Sequence, residues 1–143
     1  MHLVLRRADP ADLPAAFALR LEVFCREQGV PEELERDGHD ATAIHLVAVA
    51  AGGEVVGTCR LLRDGPRMRL GRMAVARAHR GRGIGADMLE LAHREARDAG
   101  AREVALHAQL PVRGFYAGAG YVAEGDEFEE AGIPHVLMRR PLG

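Results

Sequence analysis

Lysine is missing from this chain, and all 19 of its basic residues are arginine. No lysine can therefore act as a general base, form a Schiff base or become acylated on its own side chain. A phosphate-binding loop of the Gly-Lys-Ser/Thr type is excluded for the same reason. Aromatic residues make up only 4% of the chain, which leaves few rings for stacking on nucleic-acid bases.

Neither sign of charge dominates, since the formal net charge is -2. No overall attraction to nucleic acid or to a membrane surface is therefore expected. No apolar run approaches the roughly 20 residues of a membrane span. The first seven residues also lack the apolar stretch of a signal peptide. These absences predict a cytosolic protein with no nucleic-acid or membrane partner.

Cysteine is scarce, with only Cys25 and Cys59 present. Two cysteines make neither a disulfide framework nor a metal motif, and we interpret both as small buried hydrophobic residues. The seven histidines lack the paired spacing of zinc ligands, because His39 and His45, for example, lie six residues apart. No metal site is predicted.

At 143 residues the chain is predicted to be a single domain, residues 1–143. Apolar periodicity and turn residues predict an order of elements from which we expect an α/β fold. Its central sheet is mixed and mostly antiparallel, with helices on both faces and one parallel βαβ unit. The predicted strands are 2–7, 44–51, 54–63, 67–75, 104–108, one from 122, and 133–140. The predicted helices are 10–26, 84–99 and 111–119, with one helical turn at 32–35.

The strand Arg67–Val75 contains an irregularity. Its apolar residues are at even positions up to Leu70 and at odd positions from Met73, so the period of two slips at Gly71-Arg72. One extra residue there, a β-bulge, would put both sets on one face. A strand buried on both faces would need no alternation, and the pattern does not distinguish the two.

Three glycines, Gly81, Gly83 and Gly85, open the next helix, and such a turn suits a phosphate or pyrophosphate. A dinucleotide fingerprint fits poorly, because the following strand ends in His107-Ala108-Gln109, without the acidic residue that would bind a ribose.

Arg80, Gly83 and Gly85 also fit the pattern Arg/Gln-x-x-Gly-x-Gly/Ala, and here the chain resembles the GNAT (Gcn5-related) N-acetyltransferases over nearly its whole length. The stretch from Gln109 to Tyr121 resembles the family's Asn-x-x-Ala-x-x-Phe-Tyr-x-x-x-Gly-Phe, with Gln109 and Val112 replacing Asn and Ala. The stretches 21–31 and 132–138 resemble the ElaA/YjcF-like branch most closely.

The resemblance implies that acetyl-CoA is the acyl donor and that the strand before the turn carries a bulge. In the family this turn holds the pyrophosphate, and the strand backbone binds the pantetheine arm and the acyl carbonyl. The implied cofactor-binding residues are Met73, Ala74, Val75, Arg80, Gly81, Arg82, Gly83, Ile84, Gly85, Gln109, Phe115 and Tyr116.

The resemblance further implies direct transfer of the acetyl group to a primary amine, with Tyr116 as the general acid. The candidate general bases are Glu27, His45 and His135, with Glu129 as a further candidate, and the sequence does not choose among them. Cys59 is not expected to carry the acyl group, because nothing near it in sequence would activate its thiol.

Charge is distributed unevenly along the chain. Residues 67–82 hold six arginines and no acid, which suits polyanionic CoA, whereas residues 27–40 hold six acids and residues 124–130 hold five. The acidic segments predict either a cationic acceptor or two solvated loops. A catalytically degenerate CoA-binding sensor is the alternative function, and either a monomer or a homodimer is compatible with the sequence.

Overall fold

The computed structural model describes residues 2–143. Its sheet consists of β1 (Leu3–Arg7), β2 (Ile44–Ala50), β3 (Val55–Asp64), β4 (Arg67–Val75), β5 (Glu103–Gln109), β6 (Val122–Glu130) and β7 (Ile133–Pro141). The strand order is β1-β2-β3-β4-β5-β7-β6, and only the β4–β5 pair among these strands is parallel. The predicted mixed α/β fold is confirmed.

The α-helices are α1 (Leu13–Arg20), α2 (Glu32–Glu35), α3 (Ile84–Asp98) and α4 (Arg113–Gly118). Short 3-10 turns are Pro10–Asp12, Asp40–Thr42, Arg77–His79 and Leu110–Val112. α3 contributes Ile84, Met88 and Ala92 to the larger core, whereas Leu19 and Val23 form a second cluster with Ala74 of β4. Helices therefore cover both faces of the sheet. No helix within residues 2–143 is both long and apolar enough to cross a membrane.

The first helix differs from its prediction. It does not continue as one regular helix to Arg26, because α1 ends at Arg20 and residues Leu21–Glu27 wind as a π-helix. The Gln28 N–H donates to the Val23 carbonyl five residues back, at 3.2 Å. The wider turn rotates the buried face, so Val23 packs on the sheet while Phe24 and Gln28 reach the cavity described below.

The period slip in β4 is a β-bulge. Gly71 pairs with Arg60 and Ala74 pairs with Thr58, so Arg72 and Met73 together lie opposite Cys59. Arg72 has a φ of 55°, in the left-handed region that few residues other than glycine adopt. Of the two alternatives left open by the sequence, the bulge is correct.

The two cysteines are both free. Cys59 is buried opposite the bulge, and burial raises the pKa of its thiol to about 12, so it stays protonated. Cys25 is only half-buried, so the interpretation as a buried hydrophobic residue holds fully for Cys59 alone.

Gly57 on β3 lies where α3 packs closely on the sheet. A Cβ added there would lie 2.9 Å from Met88 Sδ and 3.2 Å from both Ala48 Cβ and Ile84 Cγ2. We expect Gly57→Ala to lower the free energy of unfolding by about 1–3 kcal/mol through overpacking, measured by urea denaturation. Gly52→Ala is the control, because a Cβ there meets nothing within 4 Å. Equal stability of the two variants would contradict the expectation.

Candidate active site

A cavity of about 570 Å³ opens where β4 and β5 separate. The two strands pair only from Arg67–Leu70 and Glu103–Leu106, and both then continue without pairing to each other. The walls come from the bulge, the ends of β5 and β7, the α1–α2 region and α4. They include Phe24, Gln28, Leu34, Glu35, Asp37, Arg60, Arg69, Gly71, Arg72, Met73, His107, Gln109, Phe115, Tyr116, Glu130 and His135.

In the part of β4 after Leu70, the N–H and C=O groups of every second residue point toward this opening. The Ala76 N–H donates to the Val56 carbonyl at 2.8 Å, on the side of β3. Because backbone groups alternate in direction along a strand, those of Val75 and Met73 point the other way, toward β5. The Val75 carbonyl accepts a hydrogen bond from Arg80 Nε at 3.0 Å. Beyond Leu70 this edge of β4 is not paired with β5, and a ligand could bind to it except at the Val75 carbonyl, which Arg80 already binds.

The glycine turn follows directly. Gly81 and Gly83 have left-handed φ values of 76° and 81°, and a Cβ at either would meet no atom within 4 Å. Open space therefore lies above the first turn of α3, whose leading N–H groups lack partners within the helix. A Cβ at Gly85 would be 3.6 Å from the Phe115 ring, so α4 packs beside the turn. Glycines, open space and a helix N-terminus together fit a pyrophosphate.

Tyr116 lies on the cavity wall, between Phe115 and Tyr121, with edge-on ring contacts at centroid distances of 5.0 and 5.8 Å. Burial raises the pKa of Tyr116 to about 12. Its phenol is therefore protonated at neutral pH and can donate a proton. Gln109 lies on the same wall, where its amide donates to Gln28 Oε1 at 2.9 Å.

Among the predicted bases, His135 lines the cavity. Its Nδ1–H donates to the Ile133 carbonyl at 2.6 Å, so Nε2 of the neutral ring carries the lone pair. Nε2 lies 3.8 Å from Glu130 Oε2, and His107 Nδ1–H donates to Glu130 Oε1 at 2.8 Å. The hydrogen bond from His107 holds the pKa of Glu130 below its usual range.

The other predicted bases lie elsewhere. Glu27 forms an ion pair with Arg80 at 2.8 Å, and His45 is buried, with Nε2–H donating to the Asp40 carbonyl at 2.9 Å. Neither lines the cavity. Glu129 is exposed, while its neighbour Glu130 lies on the wall. The structure thus brings Tyr116 and His135 to one cavity and leaves Glu27 and His45 outside it.

Three arginines and three acids form a network of ion pairs, and part of this network lines the cavity beside α2. Its members are Arg20, Arg60, Arg72, Glu35, Asp37 and Asp40. Arg20 donates to Glu35 at 2.7 Å and to Asp40 at 2.8 Å, and Arg72 contacts Glu35 at 3.1 Å and Asp37 at 3.2 Å. Arg60 pairs with Asp37 and, at 3.0 Å, with Asp40.

Two of the acids in this network, Asp37 and Asp40, have lowered pKa values. Burial alone would raise both pKa values, but the hydrogen bonds from arginine outweigh it and hold both below the usual range. Both side chains are therefore ionised at neutral pH, and the network carries three charges of each sign.

The arginine network, His107 and Glu130 were not predicted. The ion pairs join residues 15 to 37 positions apart, which no local pattern reveals. Glu130 could have been found from strand periodicity. In the β6–β7 hairpin Glu130 pairs with Ile133 and Phe128 pairs with His135, so residues 128 and 130 share the face of His135 while Glu129 does not.

The bulge on β4 and the glycine turn after it are the two features of the GNAT acyltransferase fold that the resemblance implied. A family model described as an acetyltransferase (GNAT) domain matches residues 9–142. The chain belongs to the GNAT family.

Its relatives include the uncharacterized N-acetyltransferase YjcF of Bacillus subtilis, 37% identical over 129 residues, which cover 90% of this chain and 91% of YjcF. The crystal structure of Escherichia coli ElaA superposes with a TM-score of 0.86 at 25% identity, covering 97% of this chain and 99% of ElaA. An acyl-CoA N-acyltransferase from Pseudomonas aeruginosa gives a TM-score of 0.86 at 31% identity, covering 97% and 98%. The resemblance to ElaA/YjcF-like proteins is confirmed.

Some of the solved neighbours contain coenzyme A. The PaiA N-acetyltransferase of Thermoplasma acidophilum, in complex with coenzyme A, has a TM-score of 0.76 at 16% identity and covers 99% of each chain. At that identity it shares the fold alone.

Proposed function

We propose that residues 1–143 act as one N-acetyltransferase domain that transfers an acetyl group from acetyl-CoA directly to a primary amine. One observation carries the proposal. Met73 on the free edge of β4 and the protonated Tyr116 lie on the cavity between β4 and β5, and the glycine turn lies beside it, where Gly85 approaches Phe115 of the cavity wall.

Each part of this opening suits one part of the donor. The N–H groups after Gly81 and Gly83 would bind the pyrophosphate, with Arg80, Arg82, Ile84 and Gly85 completing the turn. The backbone of Met73–Val75 would pair with the pantetheine arm, while Gln109 and Phe115 line the opposite side. Acetyl-CoA supplies an activated thioester, and the protein has to orient it against the amine.

The transfer forms one carbon–nitrogen bond and breaks one carbon–sulfur bond. Backbone N–H groups at the bulge stabilise the negative charge that develops on the carbonyl oxygen. Tyr116 gives its proton to the departing sulfur, and a base takes a proton from the amine. No covalent acyl-enzyme is required, and Cys59 is too far buried and too weakly acidic to form one.

For the base we propose His135, assisted by Glu130. His135 is the predicted candidate on the cavity wall, and its Nε2 carries the lone pair. Glu130 would stabilise the charged ring, as carboxylates commonly do beside a catalytic histidine. Glu27 and His45 are supported less, because both are engaged outside the cavity.

Thiol release from acetyl-CoA, measured across a panel of primary amines, tests this function. We expect release of free CoA that depends on the amine. Binding of CoA without turnover of any amine would favour the sensor, and absence of CoA binding would overturn both functions. We further propose a cytosolic protein, as a monomer or homodimer, without a nucleic-acid or membrane partner, consistent with its net charge of -2.

Gly83→Ala tests the pyrophosphate site. Gly83 precedes α3 with φ 81°, and Gly100 follows it with φ 80°, both in open space. Alanine should cost similar stability at either end, about 1 kcal/mol. We expect only Gly83→Ala to weaken CoA binding, by about 10-fold, measured by calorimetry, because its methyl group occupies space next to the N–H groups. Equal CoA affinity in the two variants would contradict a pyrophosphate site at this turn.

A further inference from the structure

Arg69 differs from the other arginines of the cavity. Arg60 and Arg72 line the same space but are held in ion pairs with Asp37. Arg69 is exposed to the cavity, and within residues 2–143 its side chain makes no ion pair or hydrogen bond. Its full positive charge is therefore available to a ligand.

The register places Arg69 at the point where the strands separate. It pairs with Leu62 on β3 and Ala105 on β5, one residue before the last β4–β5 pair, Leu70 and Leu106. An apolar residue on each side offers no competing carboxylate, and the small Ala105 leaves room around the guanidinium. A ligand that reaches the bulge from this side of the sheet would thus meet Arg69.

The surrounding acids do not cancel this charge. Of the six acids in residues 27–40, four are bound to arginines, namely Glu27, Glu35, Asp37 and Asp40. The network of three arginines and three acids is neutral as a whole. The buried Nε of Arg60, on the neighbouring strand and the same sheet face, is a further donor without a partner. Of the acids on the wall, Glu35 and Asp37 are bound by arginines and Glu130 is bound by His107, so none of them pairs with Arg69. The acids of residues 27–40 are thus less available to a cationic acceptor than their count along the chain suggested.

We propose that the acceptor is a small amine that also carries a carboxylate, and that Arg69 binds this carboxylate. The inference rests on the proposed acetyl transfer. Arg69 would fix the carboxylate at one end, while the amine lies toward Tyr116 and His135. A guanidinium matches a carboxylate with two parallel hydrogen bonds, which gives orientation as well as affinity. A cavity of about 570 Å³ suits a small molecule of this kind.

Matched amines that differ only in the carboxylate provide the test. The pairs are L-leucine and 3-methylbutylamine, L-phenylalanine and 2-phenylethylamine, and L-lysine and cadaverine. We expect the carboxylate-bearing member of at least one pair to have a KM about 10–100-fold lower, and Arg69→Gln to abolish the difference. Arg67→Gln is the control, because Arg67 is two residues away on β4 and is paired with Asp64 at 3.0 Å. It should keep the preference.

A preference for the decarboxylated amines, or equal loss for both members of a pair in Arg69→Gln, would overturn the inference and favour a cationic or neutral acceptor. Calorimetric titration of the same amines into the CoA complex separates this outcome from failure of the proposed function. Binding of a carboxylate amine that Arg69→Gln abolishes, without thiol release, would leave the carboxylate site standing and remove the acetyl transfer. Binding of none of the carboxylate amines would overturn the carboxylate site.

Discussion

Tyr116→Phe is expected to slow acetyl transfer by about 10²–10⁴-fold in kcat while leaving CoA affinity within about twofold. The hydroxyl is the only group removed, and the ring keeps its edge-on contacts with Phe115 and Tyr121. Without that proton donor the sulfur must leave as an unstabilised thiolate. Stopped assays of thiol release, with CoA binding by calorimetry, measure both quantities.

The pH profile adds a second readout for Tyr116. Burial raises its pKa to about 12, so the phenol remains protonated throughout the range in which the protein can be assayed. Activity of the native enzyme should therefore show no decline from ionisation of this group between pH 7 and pH 10.

Tyr121→Phe is the matched control for removal of a buried phenol. The Tyr121 hydroxyl lies 2.7 Å from His93 Nε2, Tyr121 does not line the cavity, and the ring with its contact to Tyr116 would be retained. We expect lower stability from the lost hydrogen bond but a kcat within about threefold of the native value. If Tyr116→Phe kept native kcat, or if both variants lost it equally, Tyr116 would not be the general acid.

Arg20→Met should be the most destabilising of these substitutions, at about 3–5 kcal/mol in the free energy of unfolding. The Arg20 side chain is 2% exposed and binds both Glu35 and Asp40, and it also lies over the Phe17 ring at 5.0 Å. Methionine fills similar volume but removes one arginine partner from the buried Glu35 and from the half-buried Asp40. Urea denaturation at pH 7 measures the loss.

The deficit of Arg20→Met should shrink in acid. In the native protein the pKa of Asp40 is lowered from 3.8, so its contribution to stability is present above that value and is lost as the pH falls through the folded pKa. Below about pH 4 the native protein therefore loses stability that the variant no longer has. A deficit that stays constant from pH 7 to pH 3 would contradict the electrostatic origin.

Arg26→Met serves as the comparison within the same helical segment. Arg26 pairs with Glu22 at 2.9 Å, but its side chain is 78% exposed. We expect a change of no more than about 0.5 kcal/mol, as for other solvent-exposed pairs. A loss in Arg20→Met as small as in Arg26→Met would show that the network does not stabilise the fold.

Much of the fold could be predicted from local sequence patterns. Strand periodicity located β4 with its ends at Arg67 and Val75, and the slip of that periodicity marked the bulge. The glycines marked the start of α3. The strand order β5-β7-β6 and the π-helix at Leu21–Glu27 were not predicted, since both depend on packing between distant segments.

Of the candidate site, the parts built from backbone could be predicted from the sequence, whereas the ion pairs could not. The slip in strand periodicity indicates the position of the bulge in β4, and the spacing of the glycines predicts the turn before α3. By contrast, the acids of residues 27–40 were counted as unpaired, because nothing near Glu35 or Asp37 in sequence indicates that Arg20, Arg60 and Arg72 bind them. Among the base candidates, only the fold separates His135 on the wall from His45 in the interior.

Because Arg72 both forms the bulge and binds Glu35 and Asp37, these two parts of the chain are constrained to evolve together. The backbone of Arg72 creates the irregularity on β4, the strand proposed to bind the donor, and its side chain binds Glu35 and Asp37 on the segment that lines the opposite wall of the cavity. A left-handed arginine costs about 1–3 kcal/mol unless its surroundings fix it. Descendants that rebuild this segment for a new amine must therefore keep a partner for Arg72 or redesign the strand as well. If the proposed donor site on β4 is correct, acceptor specificity in this chain would change only together with the donor site.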